Sequence, residues 1–260
     1  MTTQASASKA GVLHTSLILV ERGFRPALTS PRSTFTMIVY PLLFFLGFYA
    51  VLQGLLRSSG IDYAQFLAPG VIVQSTMLVA LATAFFLASD RRTGMLARLR
   101  SLPIPAYALL VARLALDALR ALVAVTTVAV VAAIFGFGFE RGILPAVGFV
   151  VLAVLFAVVL SIGTAAIGYT STDPEVVTSS LTLPYVLLVT MSTAFVPSEA
   201  FPDWLEPVVA YSPISAVADA LRALATSGTE LSQVWLALAW IVVLAVVFLL
   251  LAVRNSRRAT

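Results

Sequence analysis

Six stretches of the chain, residues 33–56, 63–89, 121–139, 142–172, 176–198 and 231–253, contain no Asp, Glu, Lys or Arg over 19 residues or more. A helix needs about 20 apolar residues to cross the hydrocarbon core of a bilayer, so each run is long enough for one crossing. A soluble domain must turn a polar face of each helix to water and has no place for six such runs. The pattern predicts an all-α integral membrane protein with six transmembrane helices. Helices one and two run over about 34–56 and 66–89, and helix three from about residue 106 to the Gly136-Phe137-Gly138 turn. Helices four and five lie within 142–168 and 176–198, and helix six covers about 231–253.

The remaining segments read differently. In residues 1–32, Val12, Leu13, Leu17, Val20, Phe24 and Leu28 recur near helical spacing, with Glu21, Arg22 and Arg25 on a polar side. That predicts an N-terminal helix lying in the cytoplasmic interface before Pro26 and Pro31 turn the chain into the first span. A polar opening with Lys9 as its sole positive charge does not match a signal peptide. Between helices five and six, four prolines (Pro197, Pro202, Pro207, Pro213) and the acids Glu199, Asp203, Glu206 and Asp219 preclude a continuous span. Phe201, Trp204, Leu205, Val208, Val209 and Tyr211 nevertheless form apolar turns suited to an interface. Two short helices dipping partway into the outer leaflet, an outer re-entrant helical hairpin, fit this pattern. The chain thus divides into a cytoplasmic segment at 1–32, a transmembrane domain at 33–253 and a basic cytoplasmic tail at 254–260.

Composition agrees, with 60% hydrophobic and 11% charged residues and a mean hydropathy of +1.01. It also excludes chemistry. There is no Cys, His14 is the single histidine and Lys9 the single lysine. Disulfides, thiolate metal sites, histidine triads and a Gly-rich loop ending in Lys-Ser/Thr are therefore outside this chain's means. The charge of +4 does not point to nucleic acid, because the basic residues flank the spans. With the N-terminus in the cytoplasm, thirteen of the 16 fall inside, and Arg57, Arg141 and Arg222 fall outside, which places both termini in the cytoplasm.

Three clusters are candidates for function. In 90–105, Met95, Leu96 and Leu99 lie at helical spacing among Arg91, Arg92, Arg98 and Arg100 before Pro103 and Pro105 end the helix. Such a basic amphipathic helix suits either the groove of a partner protein or the surface of anionic lipid. Early in helix three, Arg113, Asp117 and Arg120 are spaced to pair on one face near the headgroups; a charge-relay role for Asp117 is the alternative. After Pro41, the aromatics Phe44, Phe45, Phe48 and Tyr49 are candidates for lining a substrate path, or for packing. Small residues in helix four, Ser161, Gly163, Thr164, Ala165, Ala166 and Gly168, permit close helix approach.

The six spans, the interfacial first helix, the loop reading Asp90…Thr93-Gly94…Leu99…Pro103 and the segment Phe195-Val196-Pro197…Phe201-Pro202-Asp203-Trp204-Leu205…Tyr211-Ser212-Pro213…Asp219-Ala220-Leu221-Arg222 together resemble the ABC-2 type permeases. The similarity is to their daunorubicin-resistance-like drug exporter branch and runs over essentially the whole chain. The resemblance implies a transport subunit without its own nucleotide site, not an enzyme. Two six-helix permeases, here a homodimer, work with two separate ABC ATPase subunits that use ATP and Mg, in the bacterial plasma membrane. It implies ATPase coupling through Arg91, Arg92, Gly94, Leu96, Arg98, Leu99 and Arg100. It assigns Pro197, Phe201, Pro202, Trp204, Leu205, Pro213, Asp219 and Arg222 to the outer re-entrant segment. In many relatives the loop reads Gly-Thr-x-Glu-x-Leu, and here Met95 and Ala97 stand where Thr and Glu would be. The cargo would be a hydrophobic drug, a lipid or a glycolipid. The alternatives are an ion-coupled secondary transporter, which wants ionisable groups at mid-membrane, and an intramembrane lipid-processing enzyme, which wants clustered acids or metal ligands.

Overall fold

A computed structural model describes residues 38–56, 62–95, 106–227 and 232–256. The expected interfacial helix, the loop residues Leu96, Arg98, Leu99 and Arg100, and Arg257 and Arg258 of the tail lie outside the described residues.

Among the described residues eight α-helices follow one another: α1 Tyr40–Leu56, α2 Tyr63–Arg92, α3 Ala106–Ile134, α4 Ile143–Gly168, α5 Pro174–Thr190, α6 Glu206–Ala210, α7 Pro213–Ala225 and α8 Ser232–Ser256. A short 3-10 turn at Ser198–Ala200 precedes α6, and no strand occurs among the described residues. Four of these helices, α2, α3, α4 and α8, are long and apolar enough to cross a bilayer, and α1 and α5 are shorter at 17 residues each.

Two helices have boundaries that differ from the sequence reading for identifiable reasons. Helix α2 begins three residues early because the Asp62 carboxylate caps it, accepting from the backbone N–H of Ala64 (3.1 Å) and Gln65 (3.4 Å). It also continues through Arg91 and Arg92, which the sequence reading placed in the following loop. Cations in a last turn complement the helix dipole. The chain leaves the helix at Thr93 and Gly94, the glycine adopting the positive φ of 70° that a side chain disfavours. The second helix is α5, which stops at Thr190, eight residues before its charge-free run ends.

Helix α2 is the hub. It packs against α1, α3, α4, α5 and α7, and two-thirds of its residues are buried. The core built around it contains Leu67, Val71 and Ile72 of α2, Phe45 of α1, Phe149 and Phe156 of α4, and Ile214 and Leu221 of α7. Small residues set the closest approaches, as expected where lipid supplies no hydrophobic drive for helix association. Thr164 of α4 donates to the Ala80 carbonyl of α2 at 2.6 Å, and a Cβ on Gly168 would lie 2.8 Å from the Ala84 carbonyl oxygen. Gly163 meets the face of Phe248 from α8, where a Cβ would come within 2.7 Å of the ring. Gly163→Ala should therefore lower the thermal midpoint of the detergent-solubilised protein by several degrees, and Phe248→Leu in the same chain should recover most of the loss. Helix α8 turns Val242, Val246, Leu249 and Leu250 outward, a surface as apolar as the core and matched to lipid chains.

Candidate functional site

The early stop of α5 is made by residues far away in sequence. Arg222 on α7 reaches back to the segment after Thr190, its Nη2 donating to the carbonyls of Thr193 (2.7 Å) and Ala194 (3.0 Å). Its Nε donates to the Phe66 carbonyl of α2 at 3.1 Å, its Nη1 pairs with Asp219, and its plane lies 3.8 Å from the centroid of the Phe66 ring. The Asp219 carboxylate accepts the Thr193 hydroxyl, and the Thr193 N–H donates to Ser215 Oγ at 2.9 Å. Side chains of α7 thus take over the backbone groups that an unwound helix end would leave bare. Gly70 of α2 makes the approach possible, because a Cβ there would lie 1.8 Å from the Ala194 oxygen.

The same end of the bundle carries a second tie. The Gln65 side chain exchanges hydrogen bonds with the Gly138 backbone, Nε2 donating at 2.8 Å and Oε1 accepting at 2.9 Å. It also donates to the Thr226 hydroxyl at 3.0 Å. The Glu140 N–H donates to the Ala225 carbonyl, the Glu140 carboxylate accepts the N–H and hydroxyl of Ser227, and Arg141 donates to the Thr226 carbonyl. Those two bonds from Ser227 hold Glu140 below its ordinary carboxylate value. The α3–α4 turn is therefore clasped onto the end of α7.

The segment expected as two short helices is three pieces, the 3-10 turn, α6 and α7. Pro202 and Trp204 are exposed, Pro197, Phe201, Leu205 and Pro213 half-buried, and Arg222 buried. Asp219 lies half-buried beside Arg222. Trp240 of α8 donates its indole N–H to the Tyr211 carbonyl, tying the α6–α7 corner to α8.

The four aromatics of α1 form stacked columns. Phe44 and Phe48 are 4.7 Å apart between centroids and lie against Phe195, at 5.3 and 4.9 Å. Phe45 is fully buried, and it and Tyr49 pack on Phe135.

At the opposite end Asp117 is completely buried and pairs with Arg120 at 3.1 Å, as its spacing predicted, and it accepts the Thr83 hydroxyl of α2 at 2.7 Å. Arg113 departs from the expected single-face array. It crosses to α2, donating to Asp90 (3.4 Å) and to the Thr83 carbonyl (3.3 Å). Both guanidiniums lie over the Phe86 ring, at 5.6 and 5.0 Å. The network joins α2 to α3 just ahead of Arg91, Arg92 and Gly94, the described part of the basic segment. Arg92 is exposed, Arg91 and Gly94 half-buried.

No group of three or more His, Cys, Asp or Glu side chains able to hold a metal occurs among the described residues. Sequence reasoning named Asp219, Arg222 and Asp117 but not their partners Phe66, Gly70, Thr83 and Thr193. The signals available were slight: Gly70 follows Pro69 inside an apolar run, and Thr193 lies in a Ser-Thr pair.

Residues 55–254 match the family model described as ABC-2 family transporter protein. The chain is 32% identical over 194 residues to the daunorubicin resistance ABC transporter permease protein DrrB1 of Streptomyces coeruleorubidus, covering 75% of this chain and 69% of that protein. It is 29% identical over 228 residues to the probable doxorubicin resistance ABC transporter permease protein DrrC of Mycobacterium tuberculosis, covering 86% and 81%. It is 29% identical over 223 residues to the doxorubicin resistance permease DrrB of the same organism, covering 82% and 76%. With the family model reaching from the end of α1 to the end of α8, and with helices fit to cross a bilayer several times, the chain belongs to the ABC-2 family of transporter permeases.

Proposed function

We propose that this chain is the membrane pathway of an ATP-driven exporter that moves hydrophobic drugs out of the cytoplasm of a bacterial cell. The observation that carries the reading is its match, over most of its length, to permeases named for daunorubicin and doxorubicin resistance. A hydrophobic lipid or glycolipid would use the same apolar route and is the second cargo to try. In this reading α1 to α5 and α8 are the six spans, both termini are cytoplasmic, and α6 and α7 re-enter from the outer side. The bonds from α7 to the end of α5 support re-entry, since irregular backbone is tolerated in a bilayer only where protein satisfies it.

ATP and its Mg ion are used by a partner ATPase, two copies serving two permease chains. The permease dimer is taken to be a homodimer. Helix α5 supports a second chain: Ser179, Thr182, Leu183, Val186, Leu187 and Thr190 are exposed, and the threonine hydroxyls bond to carbonyls of their own helix. A surface of small polar and aliphatic residues suits another helix better than it suits acyl chains. Closure of the ATPases on ATP would push the basic segment after α2, and the Arg113–Asp90 and Asp117–Thr83 contacts would pass that motion to α3.

Reversing charge at Arg91, Arg92, Arg98 and Arg100 together should lower ATPase co-purification and drug export about tenfold, with membrane insertion intact. Transport at the original rate in that variant would remove the coupling role.

A further inference from the structure

Arg113 stands between two carboxylates on different helices. Across the α2–α3 contact it donates to Asp90 at 3.4 Å and to the Thr83 carbonyl at 3.3 Å. On its own helix Asp117 lies four residues further, the spacing that brings side chains together on one face, and near enough for the Arg113 charge to act on it. The two carboxylates are held differently. The Asp90 side chain is 39% exposed, whereas that of Asp117 is 0% exposed and is bound by Arg120 at 3.1 Å and by the Thr83 hydroxyl at 2.7 Å.

That difference decides which tie yields first. A partly exposed ion pair is worth little, whereas breaking a buried one leaves uncompensated charge in an apolar place. A displacement of the end of α2 therefore opens Arg113–Asp90 before Asp117–Arg120. Arg91 and Arg92 follow Asp90 directly in the last turn of α2, so a force on those arginines acts on Asp90 at once. The released Arg113 needs another anion, because only 17% of its side chain is exposed. Asp117 can receive it, since a carboxylate offers about four acceptor directions and Asp117 uses one for Arg120 and one for Thr83. The Phe86 ring lies near both guanidiniums, 5.6 Å from that of Arg113 and 5.0 Å from that of Arg120, a cation–π surface common to the two.

We propose that Arg113 is a two-position latch at the Arg91–Arg92 end of the bundle, joined to Asp90 when the latch is closed and to Asp117 once the end of α2 has swung away from α3. Charges stay paired in both positions, which keeps the two states close in free energy and lets a partner protein shift their populations. The inference rests on the exporter reading and adds to it the step by which a push on the basic segment changes the α2–α3 contact.

The test uses spin labels. The chain has no cysteine, so Thr93→Cys and Val111→Cys, two exposed positions at the adjoining ends of α2 and α3, are the only labelling sites. Dipolar electron paramagnetic resonance in lipid nanodiscs then reads the separation of those ends. Asp90→Asn keeps the shape of the side chain without its charge and should raise the population of a longer distance about fivefold in the permease alone. Asp117→Asn combined with Arg120→Met deletes the alternative anion without stranding the Arg120 cation. It should hold the short distance even when the partner ATPase and ATP are added, and cut doxorubicin export about tenfold while the ATPase still co-purifies. A merely structural cluster predicts a longer distance in both variants or in neither, and either result would overturn the latch. If the double variant fails to accumulate in the membrane, Asp90→Asn decides, because an unchanged distance there is enough to reject the exchange. Absence of ATP-driven export by the wild type with its ATPase would instead sink the exporter reading, and the Asp90→Asn distance would still judge the latch.

Discussion

Replacing Arg222 by methionine should destabilise the protein by about 3 kcal/mol, the low end of the range for losing one partner of a buried ion pair, because Arg222 is buried but Asp219 only half-buried. Methionine keeps the length of the side chain and its apolar contact with Phe66, so the loss isolates the guanidinium. It would strand the Thr193, Ala194 and Phe66 carbonyls and leave Asp219 beside its former partner without a cation. Arg222→Lys should recover less than half of the loss. An ammonium on a flexible stem cannot present the planar fork that reaches three carbonyls and a carboxylate while lying flat on a ring. The double variant with Asp219→Asn should be less damaged than Arg222→Met alone, because it removes the uncompensated charge. Thermal unfolding in detergent, followed by the fluorescence of the three tryptophans, ranks the four proteins. Equal midpoints for wild type and Arg222→Met would show that the junction of α5 and α7 is held some other way.

Gly70→Ala should damage the same junction from the other side. The new methyl would lie 1.8 Å from the Ala194 oxygen, 2.6 Å from its carbonyl carbon and 3.0 Å from its Cα, all backbone atoms that no rotamer change can move. The segment after α5 must then lift off α2, and Arg222 loses its carbonyl partners together. Overpacking at a rigid backbone contact costs about 3 kcal/mol or more. Because the two substitutions break one structure, their effects should be far from additive. A double variant carrying Gly70→Ala and Arg222→Met should unfold close to the midpoint of the worse single variant. Additive losses would mean that the glycine and the arginine act independently.

The two junction residues show where the sequence is informative and where it is silent. The spans could be read because hydrocarbon forbids charge. α2, α3, α4 and α8 appear close to where the charge-free runs put them, and the resemblance to ABC-2 permeases is borne out by the family match. The end of α5 could not be read. Residues 190–198 are as free of charge as the helix before them, and the break comes from Arg222, 28 residues beyond Ala194. Charge near a span boundary likewise reads as interface, which puts Arg91 and Arg92 in the loop, although two arginines in a last turn are compatible with a continuing α2. In the sequence Arg222 is one of three outer cations, and nothing there signals its burial. That depends on Gly70 and Phe66, whose roles emerge only when α2 and α7 are side by side.

As proposed, this chain is a conduit powered by another polypeptide. The most direct measurement is drug accumulation in sealed proteoliposomes with ATP and Mg supplied on the face where Arg92 is exposed. The permease co-reconstituted with its ATPase should concentrate doxorubicin across the membrane, and the permease alone should leave it at equilibrium with ATP present. Accumulation by the permease alone, or none by the complex, would contradict the account.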